Sequence, residues 1–346
     1  MRKWMTALAA AGAAAAIASP AAAQAGRSVA GANCINPPRL DCPQANCATE
    51  ARTAKGNAVE PKTGRPFYLD FPCDLKPGEK VTFILNLHGM GSVGNWQRHY
   101  FPAIDFKEKH RLVIATPTAA TEQPQRRWVG EADDAYLQNI SDLVIREFGR
   151  SNIKAYWLVG HSQGGMTSRR IVCSDYFKDK VDGFVSLSGG RINPPNAPPG
   201  TLNARPAGTP APAAPAAGPP QSQPLPACDF SFIFAVGELE VANGIAAGSP
   251  WAEKYRCGPR RAARLVVDEK PGYVTATDQS RGPSWGRFAR PGKAQVMVYP
   301  GCGDGRVVAD VVRLDKGHTE GLEPKIMDAI LTLMGQARGG KLQRGG

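Results

Sequence analysis

The chain has 346 residues, 42% of them hydrophobic, which is ample for one sizeable core and more than a small single domain needs. Its formal charge is +12, yet the basic residues are spread through the chain and not clustered around stacking aromatics, so no nucleic-acid partner is expected. None of the eight cysteines stands in a C-x-x-C pair, which argues against a structural zinc site, and the even count in an exported chain favours disulfides.

The chain opens with Met1-Arg2-Lys3-Trp4, an Ala-rich apolar stretch from Met5 to Ile17, Ser19-Pro20 and the small-residue site Ala23-Gln24-Ala25. That order predicts a secretory signal peptide over 1–25. The apolar run is shorter than the ~20 residues that span a bilayer, and no second span follows, so a secreted or periplasmic protein free of the membrane is expected after cleavage. Residues 26–66 are polar and rich in Asn, Pro and Cys, without helical or strand periodicity, and read as an arm stapled by disulfides.

A single main domain is expected over 67–338. Its first buried strands are 81–87 and 111–115, separated by a Gly-rich loop and a helix. Between 131 and 148, Tyr136, Ile140, Val144 and Phe148 recur every four residues and stack on one helix face, with Asp133 and Asp134 near its start and Gly149 at its end. A strand at 155–159 runs into a Gly-rich turn and a helix reaching about Cys173, and 181–187 is the next strand. Residues 191–227, twelve of them proline, cannot bury enough apolar surface to offset their ordering entropy and read as a flexible insertion. Strands return at 230–236, 295–299 and 307–314, a helix follows from 323 to about 334, and 339–346 reads as a flexible tail. Strands alternating with helices predict an α/β fold with a mostly parallel central sheet flanked by helices.

The turn Gly160-His-Ser-Gln-Gly164 fits G-x-S-x-G directly after a buried strand and before a helix. Glycines two residues either side of Ser162 let neighbouring backbone pass closely while the hydroxyl stands exposed, and the N–H of Gln163 then points where an oxyanion would form. Leu85-Asn-Leu-His-Gly-Met-Gly91 ends a strand on His88-Gly89; Met90 is the expected second oxyanion donor and His88 is expected to hold the loop by hydrogen bonds. His318 follows the last strand and is the expected general base, while His161 should point away from the serine. The orienting acid must lie between Ser162 and His318 after a strand end. Glu240 is preferred, with Glu238, Asp268, Asp304 and Asp310 as competitors.

With these residues in place, the chain resembles the secreted poly(3-hydroxybutyrate) depolymerase and feruloyl esterase group of α/β-hydrolases. The resemblance covers about Phe67 to Met334 and rests on Leu87-His-Gly89, Asp133-Asp134, Ser162, Tyr299-Pro-Gly-Cys-Gly-Asp304 and Gly317-His318. Two departures stand out. The family usually has H-G-T-x-D where this chain reads Val236-Gly-Glu-Leu-Glu240, and often an aromatic after the base where this chain has Thr319-Glu320.

The expected function is carboxylic-ester hydrolysis through an acyl-enzyme, on a small or polymeric ester, with neither a metal nor an organic cofactor required. A serine peptidase on the same fold and a catalytically silent binding protein are the alternatives. The disulfides expected first are Cys257–Cys302, anchoring an irregular Gly-Pro stretch, and Cys173–Cys228, closing the loop around the insertion. Cys34, Cys42, Cys47 and Cys73 would pair among themselves.

Overall fold

The structure, a computed structural model, describes residues 28–35, 55–191, 225–241, 244–275 and 279–344. The expected signal peptide, Cys42 and Cys47, and positions 192–224 of the insertion lie outside the described residues.

Two short strands, β1 (Ser28–Val29) and β2 (Ala32–Asn33), form a hairpin. The other ten described strands are β3 (Ala58–Val59), β4 (Pro66–Asp70), β5 (Val81–Leu87), β6 (Leu112–Pro117), β7 (Ile153–His161), β8 (Gly183–Leu187), β9 (Ser231–Gly237), β10 (Arg264–Val267), β11 (Lys293–Tyr299) and β12 (Val308–Leu314). They make one sheet in the order β10-β11-β12-β9-β8-β7-β5-β6-β4-β3. The central run from β12 to β6 is parallel, while β10 and β11 at one edge and β4 and β3 at the other pair antiparallel.

The central strands are covered on both faces, which is why β5, β6 and β9 read as continuous apolar runs and are buried throughout. Their two-residue period divides the core. Phe83, Leu85 and Leu87 join the layer that includes α3 (Gly130–Phe148), and Ile84 joins the opposite layer with α6 (Pro324–Gln336). The remaining described helices are α1 (Gly94–Tyr100), α2 (Lys107–His110), α4 (Gln163–Ile171), α5 (Pro250–Lys254) and α7 (Lys341–Arg344). On α3 the four-spaced Tyr136, Ile140, Val144 and Phe148 are all buried, and Gly149 ends the helix with φ 85°.

Three boundaries differ from the sequence expectation. The arm is not wholly irregular, because β3 pairs with β4 and so belongs to the main sheet. Arg191, the first residue of the expected insertion, is buried and ion-paired with Asp310 at 2.9 Å, so it packs as part of the fold; residues 225–227 at the insertion's other end are also described. The tail is docked through α7 and is not free over 341–344: Leu342 is fully buried in the layer shared with α3, and Lys341 N donates to Asp182 Oδ1 at 3.0 Å.

Cysteine pairs Cys173–Cys228 and Cys257–Cys302 are present as expected, and Cys34–Cys73 lies within the N-terminal group. Because β5, β7, β9 and β12 run parallel, the loops that follow them leave the same edge of the sheet. Those loops carry His88 to Met90, Ser162, Glu240 and His318 respectively. This is the α/β-hydrolase fold.

Candidate active site

Ser162 stands between β7 and α4 with φ 52° and ψ −119°, a conformation that L residues rarely adopt and that costs on the order of 1–3 kcal/mol. The surrounding glycines explain how the turn closes. A methyl group on Gly160 would lie 2.3 Å from the Gly164 carbonyl, and one on Gly164 would lie 2.2 Å from Leu87 O, so neither site admits a side chain. Ser162 N donates to Leu187 O at 2.8 Å, tying the turn to the end of β8. Gln163 is the first residue of α4, where helical N–H groups have no intrahelical acceptor. Its side-chain Oε1 accepts from Trp128 N at 3.0 Å.

The loop after β5 lies against this turn. A Cβ on Gly89 would sit 3.2 Å from Ser162 Cβ. His88 is fully buried; its Nδ1 donates to Gly89 O at 2.7 Å, and its Nε2 accepts from Ala119 N at 3.0 Å. Burial pushes its pKa down to about 4, so the imidazole is neutral, as the accepting Nε2 requires. Trp128 Nε1 donates to His88 O at 2.8 Å. His88 therefore holds the loop that carries Met90, as expected.

His318 and Glu240 meet at 2.6 Å, Nδ1 to Oε2. A carboxylate only accepts, so His318 Nδ1 is the donor in this contact. The other carboxylate oxygen of Glu240 accepts from Gly237 N and Ser188 Oγ, both at 2.8 Å. Of its sequence competitors, Glu238 is exposed and accepts from Asp315 N, and Asp268 accepts from Lys325 N and Ile326 N at the start of α6. Asp310 is committed to Arg191 and Tyr299, and Asp304 lies in the turn after Cys302.

His161, expected to point away from the serine, has a structural partner in the loop of His318. Its ring packs against His318 at 4.7 Å and Tyr100 at 4.1 Å between centroids, and its Nε2 donates to His318 O at 2.8 Å. Burial, followed by the electrostatic influence of His318, holds its pKa well below the ordinary value, so it buttresses the His318 loop as a neutral donor. Asp133 and Asp134 also acquire roles: Asp133 accepts from Ala120 N and Val129 N, and Asp134 forks Arg170 at 2.6 Å, joining α3 to α4.

Ser188, Trp128 and Trp285 were not legible as site residues. Trp285 lies against the His318 ring at 5.0 Å, so an aromatic does accompany His318, though it comes from the segment between β10 and β11 and not from the residue after His318.

No protein-family model matches the chain, and no curated protein matches it. Among the solved structures similar to it are the following three. Acetyl xylan esterase from Aspergillus awamori has a TM-score of 0.42 and 11% identity over 78% of this chain and 94% of that one. FphF, a fluorophosphonate-binding serine hydrolase of Staphylococcus aureus, has a TM-score of 0.25 and 16% identity over 32% of this chain and 44% of that one. Protein Atu2452 of Agrobacterium tumefaciens, of unknown function, has a TM-score of 0.24 and 16% identity over 46% of this chain and 68% of that one.

Proposed function

We propose that this chain is a secreted or periplasmic serine ester hydrolase that works through an acyl-enzyme. The observation that carries the proposal is the 2.6 Å contact of Glu240 with His318 Nδ1, on strand ends beside the strained turn of Ser162. Ser162 Oγ attacks the ester carbonyl while His318 Nε2 takes its proton, and Glu240 stabilises the resulting imidazolium. The N–H groups of Gln163 and Met90 hold the oxyanion. Collapse of the tetrahedral intermediate breaks the bond to the alcohol, which leaves with the proton returned by His318. Water then repeats the sequence on the acyl-serine and releases the acid. Every step uses a hydroxyl, an imidazole, a carboxylate and amide donors, so the mechanism requires no metal or organic cofactor.

Export is supported by the leading segment of the sequence and by three disulfides among the described residues, which persist in oxidising compartments. The described residues contain no helix long and apolar enough to cross a membrane. The substrate classes that fit are a polyester and a feruloyl- or acetyl-type ester. Purified protein should be assayed on short acyl, feruloyl and polyester substrates beside a peptide panel. Hydrolysis of esters abolished by Ser162→Ala is expected; turnover of peptides alone would reassign it as a peptidase, and no turnover with intact binding would make it a silent binding protein.

A further inference from the structure

The segment between β10 and β11 brings an aromatic ring and three arginines to the base. Trp285 lies against the His318 ring at 5.0 Å between centroids and 30° between planes. Its carbonyl accepts from Thr319 N and Thr319 Oγ1, both at 2.8 Å, and Ser284 O accepts from His318 N at 3.0 Å. The segment is therefore docked on the loop that carries His318.

Its arginines differ. Arg287 pairs with Asp315 at 2.9 Å and Arg290 with Glu320 at 2.6 Å. Arg281 is exposed, and its guanidinium carbon sits 3.1 Å from the centroid of the Trp285 ring. No carboxylate pairs with it among the described residues. The guanidinium sits over the face of the indole, where the ring's quadrupole holds it. Its N–H edge stays available, and that edge is the part that forks a carboxylate with two parallel hydrogen bonds.

The chemistry of acyl transfer says which part of an ester reaches this place. His318 returns its proton to the departing alkoxide, so the alcohol portion leaves beside the imidazole. Groups stacked on that imidazole border the alcohol portion and not the acyl group.

We infer that Arg281, carried on Trp285, recognises an anionic group, a carboxylate by preference, on the alcohol portion of the ester. The enzyme then favours esters of hydroxy acids and comparably acidic alcohols over neutral ones. This rests on the esterase proposal with His318 as base and adds a substrate class to it. Because the guanidinium is solvent-exposed, the preference is screened by salt over a Debye length of about 8 Å at physiological ionic strength.

A matched pair of substrates tests it: the acetate esters of 4-hydroxybenzoate and 4-hydroxybenzamide share an acyl group and a ring and differ in charge. The wild type should favour the anionic ester by about tenfold in kcat/KM at low salt, and the ratio should shrink as salt rises. Arg281→Gln should bring the ratio to within about twofold of unity, and Arg281→Glu should reverse it. Arg281→Lys should keep part of the preference, since it retains charge and loses the fork. A merely structural role would lower both rates together and leave the ratio unmoved; that result, or a wild type that hydrolyses the neutral ester with no preference, overturns the subsite alone. Hydrolysis of neither ester by the wild type overturns the esterase proposal as well.

Discussion

Glu240 Oε2 and His318 Nδ1 stand 2.6 Å apart although 78 residues separate them. Register brings them together: in the parallel pair β9 and β12, Gly237 lies opposite Arg313, so the chain leaves both strands at the same level and the two loops run side by side. The serine turn follows β7, two strands from β9 across the same edge.

The Glu240 carboxylate is held by three donors and faces the imidazole, whereas Glu238 faces Asp315 N at the surface. Glu240→Gln should therefore lower kcat by about 10³–10⁴, since the amide can present the wrong hydrogen-bonding atom to Nδ1. Glu238→Gln should stay within about threefold of wild type. Steady-state kinetics with far-ultraviolet circular dichroism as a fold control decides between them. The opposite order of effects would move the orienting role to Glu238.

Ser162→Ala should cost on the order of 10⁶ in kcat while the fold is kept, because removal of the nucleophile leaves only binding and the oxyanion donors. A fluorophosphonate probe should label the wild type at Ser162 and leave this variant unlabelled. Labelling at any other residue would contradict the assignment.

The central sheet was legible because its strands are buried on both faces and so are written as apolar runs between turn residues. β10 was missed because it is a short edge strand that begins on Arg264 and buries only Val266. β4 was missed because it is an edge-region strand opening on Pro66, next to a stretch without periodicity. Ser162 and His318 were readable from local motif and chain order. Glu240 was readable as the preferred of several carboxylates, and only the pairing of β9 with β12 separates it from Glu238. Trp285, Ser188 and the orientation of His161 depend on contacts across more than twenty-five residues of sequence, and nothing local encodes them.

Asp105 should make stability fall at neutral pH. Burial raises its pKa to about 6 from an ordinary 3.8, against the opposing pull of the Tyr273 hydroxyl, which donates to Oδ2 at 2.7 Å, and of the Arg98 charge. Between those values the folded state holds a proton that the unfolded state has lost. The contribution is thus fully present below pH 3.8 and is lost as pH rises through about 6. Asp105→Asn keeps an acceptor for Tyr273 and removes the titration, so it should be more stable than wild type by about 2 kcal/mol at pH 8 and indistinguishable from it near pH 3.5. Thermal unfolding of both proteins at the two pH values gives the answer; an equal difference at both would show that the carboxyl titrates normally.

Cys173–Cys228 joins the turn after α4 to the entrance of β9 across a separation of 55 residues. Replacing both cysteines by alanine should destabilise the protein by about 4 kcal/mol, mainly by freeing the unfolded chain. Non-reducing peptide mapping should recover the Cys173–Cys228 and Cys257–Cys302 peptides. A peptide joining Cys257 to the N-terminal group would contradict this connectivity.

Beneath the base loop, Arg313, Lys316, Glu320 and Glu323 are all buried. Glu323 pairs with Lys316 at 2.8 Å and with Arg313 at 3.1 Å. Glu320 pairs with Arg290 at 2.6 Å and accepts from Gly317 N at 2.7 Å, one residue before His318. Its backbone carbonyl accepts from Arg313 Nη1 at 2.6 Å. Glu320→Ala would strand the Gly317 N–H and leave the buried Lys316 with one carboxylate fewer nearby, at a cost of about 3–5 kcal/mol typical of removing one member of a buried ion pair. It would also take from Arg290 the nearer of its two carboxylate partners, leaving Asp315 at 3.4 Å, and so loosen the segment that sets Trp285 on the imidazole. The expected outcome is a melting temperature lower by roughly 5–10 °C, together with a loss in kcat at temperatures where the variant is still folded. Glu320→Gln, which can still accept from Gly317 N, should recover part of both. A variant that melts like the wild type yet loses turnover would mean that Glu320 acts on the reaction directly, and one that loses stability with turnover intact would mean that the His318 loop is held by His161 and the Trp285 segment without it.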